Sequence, residues 1–195
     1  MSNLSFVAMQ RHIGVKPDGV VGRFTLTALF QKLGASPDRA DELALSANIH
    51  LRTYGILTTP QRLAHFLAQL THESGNFRYM EEIASGSAYE GRKDLGNLYQ
   101  GDGQRYKGRG PIQLTGRTNY RTYGQALGFD FERHPELVAT PSIGLLVACK
   151  YWADKGLNEL SDQDNTKLIT ERINGGLNGF VDRVQKLMII KGFMI

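Results

Sequence analysis

The sequence predicts a mainly α-helical chain interrupted by a long glycine-rich loop region. Two observations carry this. Apolar residues recur at helical spacing behind three hydroxyl and proline pairs, Ser36-Pro37, Thr59-Pro60 and Thr140-Pro141, each matching the preference for a hydroxyl N-cap and proline at the first helical position. Between Ser85 and Thr115, by contrast, glycines fall at 86, 91, 96, 101, 103, 108 and 110 with no sustained period. That stretch reads as loop with at most short strands, and loops of such length usually carry function.

Leu4, Val7 and Ala8 suggest a first short helix, followed by a turn over Lys16-Pro-Asp-Gly-Val-Val-Gly22. Leu26, Leu29, Phe30 and Leu33 then fall at i, i+3, i+4 and i+7, with Gly34 as the stop. Residues 1–35 form a short helical unit too small to hold a core alone, so it is expected to pack on the remainder, 36–195. In that remainder helices are predicted near 37–50, 60–74, 117–127, 141–155, 165–173 and 179–191.

With 195 residues, 41% hydrophobic and 22% charged, the chain is not intrinsically disordered. No apolar run approaches the ~20 residues of a membrane span, so no stable membrane insertion is expected, and the apolar Leu187–Ile195 segment should dock on the core. Met1-Ser-Asn-Leu-Ser-Phe-Val has neither the basic region nor the apolar core of a secretion signal. The single cysteine, Cys149, excludes an internal disulfide or a thiolate-cluster metal site and reads as a buried structural thiol. The net charge is +4. Between Arg92 and Arg121 seven basic residues (Arg92, Lys93, Arg105, Lys107, Arg109, Arg117, Arg121) meet two acids (Asp94, Asp102), a local +5. Such a stretch is either a solvated face or suited to an anionic polymer such as nucleic acid or bacterial cell wall.

The sharpest chemical signal is the helix Pro60-Gln-Arg-Leu-Ala-His-Phe-Leu-Ala-Gln-Leu-Thr-His-Glu-Ser-Gly75. Leu63, Phe66, Leu67 and Leu70 form its apolar face, and Glu73 projects at the edge of that face in the last turn. There the macrodipole disfavours negative charge by about 0.3–1 kcal/mol, less than one pKa unit. Burial must supply the remainder if Glu73 is to be a general acid near neutrality. His72-Glu73 fails as a metalloprotease motif, since the second histidine would stand at Asn76. The other histidines, including His65, show no ligand spacing and read as surface or capping residues. No nucleophile elbow or nucleotide-phosphate loop is present. Glycoside hydrolysis needs a second carboxylate, and Glu81, Glu82, Glu90 and Asp94 all follow; spacing alone does not choose among them.

Phe66-Leu-Ala-Gln-Leu-Thr-His-Glu-Ser-Gly75, Arg105-Tyr-Lys-Gly-Arg-Gly-Pro-Ile-Gln-Leu-Thr115 with Asn119-Tyr120, and Ile173-Asn-Gly-Gly176 together resemble the family 19 glycoside hydrolases, which comprise chitinases and bacteriophage endolysins. Tyr89-Glu-Gly-Arg-Lys-Asp-Leu-Gly-Asn97 is similar to the endolysin branch. The resemblance spans roughly residues 40–190 and implies a lysozyme-like α+β fold, mainly helical and two-lobed, with a central cleft. It places the general acid on Glu73, the general base on Glu82 with Glu90 as the alternative, and the water-holding hydroxyl on Thr115. Gln113, Asn119, Tyr120 and Asn174 match positions implied to line the sugar groove; Arg183, grouped with the substrate-binding set, matches the arginine that organises the carboxylates, and Arg109 lies within the matched block, with a backbone role as its alternative. Met9–Leu29 is similar to the core of three-helix peptidoglycan-binding domains, at about half their usual length.

The function implied is inverting hydrolysis of β-1,4 bonds in peptidoglycan, without metal or cofactor, by a monomer with no nucleic-acid partner. The protein is expected to reside in a host bacterial cytoplasm until a separate pore-forming protein gives it access to the wall. A chitinase using the same residues, a lytic transglycosylase, a non-catalytic wall binder, and a single-strand nucleic-acid binder using Tyr99, Tyr106, Tyr120 and Tyr123 are the rival readings.

Overall fold

The Ser5 hydroxyl accepts the backbone N–H groups of Val7 and Ala8 and so opens the first helix, α1 (Phe6–His12). The computed structural model describes residues 4–195; the first residues of the N-terminal segment read for a secretion signal, 1–3, lie outside the described residues. The turn after α1 is held by buried Gln10, which donates to Asp18 Oδ1 and the Val20 carbonyl, both at 3.1 Å, and accepts from Gly19 N–H at 2.7 Å. There follow α2 (Arg23–Lys32), α3 (Pro37–Thr53) and α4 (Pro60–Glu73). Next come α5 (Asp102–Arg105), α6 (Arg117–Leu127), α7 (Pro141–Asp154), α8 (Leu157–Asp162), α9 (Thr166–Asn174) and α10 (Phe180–Gly192). The short α5 and α8 carry no periodic signal of their own. Of the three hydroxyl and proline starts, only Thr59 bonds a helical N–H, that of Arg62 at 3.1 Å. Ser36 and Thr140 stand at their N-caps without a side-chain bond, so there the fixed φ of proline acts alone.

Helix α4 is the axis of the molecule. Every side chain from Leu63 to Thr71 is buried; α10, α8 and the 3₁₀ turn Ile56–Thr58 all pack against this helix. This corrects the reading of His65 as a surface residue: its side chain is fully buried, because a helix packed by several neighbours encloses its polar face too. Its Nε2 lies 2.7 Å from Asp164 Oδ1, and Lys191 of α10 bonds the same carboxylate. Residues 5–35 share this core. α2 packs on α3, Phe30 meets Phe77 edge-on at 5.1 Å, and Ser5 N–H donates to the Met194 carbonyl at 2.7 Å. His12 stacks on Phe193 at 4.5 Å. The C-terminal segment is thereby docked, with Met194 fully buried.

The glycine-rich region forms short 3₁₀ turns at Ser87–Tyr89 and Lys93–Leu95, then α5. Among the described residues its strand content is limited to the isolated bridges Glu81↔Arg109 and Arg109↔Leu114, so the fold is mostly helical. The loop is nonetheless fixed. Glu90 accepts from Gly101 N–H at 2.6 Å and Gly103 N–H at 2.8 Å. Buried Asn97 donates to the Tyr89 carbonyl and accepts from Arg117 N–H, both at 2.9 Å. Gly96, at φ 73°, presses on α6 so closely that a Cβ would lie 2.0 Å from Thr118 Oγ1. Glycine is required there on both counts.

In three dimensions Glu81 and Glu132, from outside the stretch, offset two charges of the local +5. Arg92 pairs with Asp94, Lys107 and Arg109 with Glu81, and Arg117 and Arg121 with Glu132. Tyr106, Tyr120 and Tyr123 are core residues and only Tyr99 of the four is exposed, which removes the aromatic platform of the nucleic-acid reading. Cys149 is fully buried, and burial pushes its thiol pKa up. Among the described residues no helix is long and apolar enough to cross a membrane.

Candidate functional site

A cleft of about 390 Å³ lies where the helical body meets the glycine-rich region. From the helices come Glu73 at the end of α4, Tyr151 of α7, and Ile173 and Asn174 at the end of α9. The loops contribute Tyr89, Arg92, Leu95 and the run Ile112–Thr115, and α6 adds Asn119.

Glu73 is gripped from behind. Arg183 donates Nη2–H to Glu73 Oε1 at 2.5 Å and Nη1–H to Gln69 Oε1 at 2.6 Å. Arg183 is 1% exposed, so a buried cation stands at the back of Glu73. One residue away on each helix, His72 Nδ1 and Asp182 Oδ2 lie 2.6 Å apart. Gly179, the N-cap of α10, packs under the His72 ring, where a Cβ would fall 2.4 Å from Cε1. These contacts fix the start of α10 against the end of α4 and so aim Arg183 at Glu73. Burial pushes the Tyr151 hydroxyl pKa up to about 12, and the charge of Glu73 adds to the effect.

Glu82 is held by other means. Its N–H donates to the Gly108 carbonyl at 2.8 Å, and Gly108 N–H returns a bond to Oε2 at 3.1 Å. The Tyr89 hydroxyl donates to Oε1 at 3.0 Å. Gly108 marks the point of convergence: a Cβ there would lie 2.7 Å from Gln113 Oε1, 3.3 Å from Glu82 Oε2 and 3.4 Å from Thr115 Oγ1. The Thr115 hydroxyl donates to the Gln113 carbonyl at 3.0 Å, which leaves its oxygen as an acceptor. Gln113 holds φ 56° and donates to the Gly110 carbonyl at 2.9 Å, while Asn119 donates to the Thr115 carbonyl at 2.7 Å.

Three residues matched as substrate-binding lie elsewhere. Tyr120 is fully buried; its hydroxyl donates to the Lys107 carbonyl at 2.7 Å and accepts from Arg109 Nη1 at 3.1 Å. Arg109 is spent on that hydroxyl, the Arg105 carbonyl and Glu81. Arg183 stands behind Glu73 rather than in the cleft. All three support the walls, the two arginines because a buried cation must keep its partners. Glu90 is committed to Gly101 and Gly103, and Glu81 to Lys107 and Arg109, Lys107 being the main cause of its lowered pKa. Asp94 is tied to Arg92. Tyr89, Arg92 and Tyr151 are cleft residues that motif reasoning passed over. The first two sit within the Tyr89–Asn97 block beside the candidate carboxylates, which was the available signal; Tyr151 carries none.

The family model described as Chitinase class I matches residues 53–174. A glycosyl hydrolase family 19 domain-containing protein of Haemophilus influenzae is 34% identical over 152 residues, 62% of this chain and 74% of that protein. Endochitinase EP3 of Arabidopsis thaliana is 40% identical over 96 residues, 49% of this chain and 35% of the plant enzyme. The matched region spans about a third to a half of the length of the plant relatives. In architecture the chain resembles the family GH19 class IV chitinase of Zea mays, with TM-score 0.68 and 24% identity over 86% of this chain and 91% of that one. It also resembles chitinase C of Streptomyces griseus, with TM-score 0.60 and 22% identity over 100% and 95% of the two chains. The shared helical fold agrees with the lysozyme-like expectation, and the family match covers both the Glu73 helix and the Glu82 to Thr115 segment: the chain belongs to glycoside hydrolase family 19 and is a glycoside hydrolase.

Proposed function

We propose that this protein hydrolyses the β-1,4 glycosidic bonds of bacterial peptidoglycan with inversion, Glu73 acting as general acid and Glu82 as general base. The observation that carries the reading is the convergence of Glu82 Oε2, Thr115 Oγ1 and Gln113 Oε1 around Gly108, beside the cleft that Glu73 lines. A water bound there donates one proton to Glu82 and the other to Thr115, whose own proton is committed to the Gln113 carbonyl. Its lone pair is then free to attack the anomeric carbon. Arg183 occupies one oxygen of Glu73, and the other delivers the proton to the departing glycosidic oxygen. Arg183 also balances the carboxylate that this transfer leaves behind.

Asn119, Asn174 and Gln113 supply amides for sugar hydroxyls and acetamides, and Ile112, Leu114 and Tyr151 supply apolar surface for ring faces. The enzyme acts as a monomer, held in the host cytoplasm until a pore-forming partner opens the way to the wall. Peptidoglycan digested in heavy-oxygen water tests the reading by mass spectrometry. New reducing ends carrying one heavy oxygen are expected. Anhydro ends would make it a transglycosylase, and release of oligomers from chitin alone would favour the chitinase reading, which the plant relatives support.

A further inference from the structure

We infer that Arg92 selects anionic glycan, by binding a carboxylate of the muramic acid side chain while the scissile bond lies between Glu73 and Glu82. The inference rests on the glycosidase reading of this cleft. Among the described residues lining the cleft Arg92 is the one cation. Neutral β-1,4-linked N-acetylglucosamine presents hydroxyls and acetamides, which the amides of the cleft serve, and it gives a guanidinium no charged partner. A polymer with a lactyl or lactyl-peptide group on alternate sugars brings carboxylates along the same path.

The backbone under Arg92 is fixed in advance. Its carbonyl accepts from Leu95 N–H and Asn97 N–H, both at 3.1 Å, and Asn97 and Glu90 pin the flanking loop to α6 and α5. A cation on a rigid wall keeps more of its binding energy than one that must first be ordered. The side chain is held more loosely. Asp94 accepts from Nε at 2.7 Å and from Nη2 at 2.5 Å, but both partners are at least half exposed, and such pairs contribute only about 0–1 kcal/mol. A substrate carboxylate can therefore displace Asp94 or take the donors it leaves free, since guanidinium offers five N–H groups. Asp94 is in this view a stand-in for the substrate anion. Tyr89, three residues earlier, reaches Glu82, so one short loop links the anion reader to the base.

The test compares kcat/KM on purified glycan strands whose stem peptides have been removed, leaving free lactyl carboxylates, with the same strands after the carboxylates are amidated. The wild type should prefer the free acid, and added salt should erode the preference. Arg92→Gln should lower the preference ratio about tenfold, as loss of a charge-assisted bond would, Arg92→Lys should retain part of it, and Asp94→Asn should raise it. A ratio unmoved by Arg92→Gln, in an enzyme that cleaves the free-acid strands, overturns the inference and leaves the peptidoglycan reading intact. A wild type that cleaves chitin oligomers but neither form of the strands overturns that reading instead.

Discussion

Tyr89 donates its hydroxyl to Glu82 Oε1 at 3.0 Å, so the carboxylate assigned as base is held by a side chain from the loop that also bears Arg92. Burial, and then the hydrogen bond to Glu82, raise the pKa of the Tyr89 hydroxyl, so it remains a donor throughout the neutral range. Tyr89→Phe removes the donor and little else. A hydrogen bond to a charged group is worth about 1.5–3 kcal/mol, so kcat is expected to fall about tenfold or more and the melting temperature by several degrees. Steady-state kinetics beside a thermal melt checks this; an unaltered kcat would show that the Gly108 N–H alone suffices.

Replacing each carboxylate separates chemistry from support. Glu73→Gln and Glu82→Gln should each lower activity about 10²-fold or more while the fold persists. Azide should restore Glu82→Ala, giving a glycosyl azide of inverted configuration, better than it restores Glu73→Ala. Glu90→Gln leaves one acceptor oxygen for the two amides of Gly101 and Gly103 and is expected to lower thermal stability with partial activity retained. Full loss of activity in Glu90→Gln together with an active Glu82→Gln would move the base to the glycine-rich loop.

Phe30 of the N-terminal unit packs against Phe77, four residues beyond Glu73, and both rings are fully buried. Phe30→Ala should cost about 3–5 kcal/mol, the usual range for deleting a buried phenyl ring. Urea unfolding measures it. Removal of residues 1–34 should be worse, leaving an insoluble or molten chain, because it uncovers the face of α3 that α2 occupies.

His65 should make stability depend on pH. Burial holds its pKa down at about 4, against an ordinary value of 6.5, although Asp164 partly offsets the effect. With Nε2–H donated to Asp164, Nδ1 is a buried acceptor without a partner, and protonation would place an unpaired N–H there. The unfolded chain therefore takes the proton first as pH falls. The contribution of neutral His65 is full above pH 6.5 and disappears between pH 6.5 and 4, bounded at about 3 kcal/mol by the linkage relation. Urea midpoints at about pH 7 and about pH 5 should differ less in His65→Gln than in the wild type. Equal differences would mean that other groups govern the acid limb.

Local signals in the sequence determined the main helices. Pro37, Pro60 and Pro141 start helices where a fixed φ and a dispensable N–H make starting easy, and the glycine spacing from 86 to 110 announced the loop region. The helix ending at Glu73 was legible for the same reason, since the spacing of Leu63, Phe66, Leu67 and Leu70 is a property of a dozen neighbouring residues. The partner of that glutamate was legible only through the family resemblance, which matched Arg183 to the arginine that organises the carboxylates. Arg183 lies 110 positions away, and no periodicity couples residues so distant; only the packing of α10 on α4 joins them. His65 misled for the same reason, because a helix enclosed on several sides buries its polar face as well, which its own pattern does not announce. The partners of Glu81, Glu82 and Glu90 were also set by tertiary structure. Adjacent side chains on an irregular segment diverge, so Glu81 turns to Lys107 and Arg109 while Glu82 turns to Gly108, Tyr89 and Thr115. Glu90 is consumed by two backbone amides of its own loop. Sequence supplied the carboxylates, and the folded backbone decided what each of them meets.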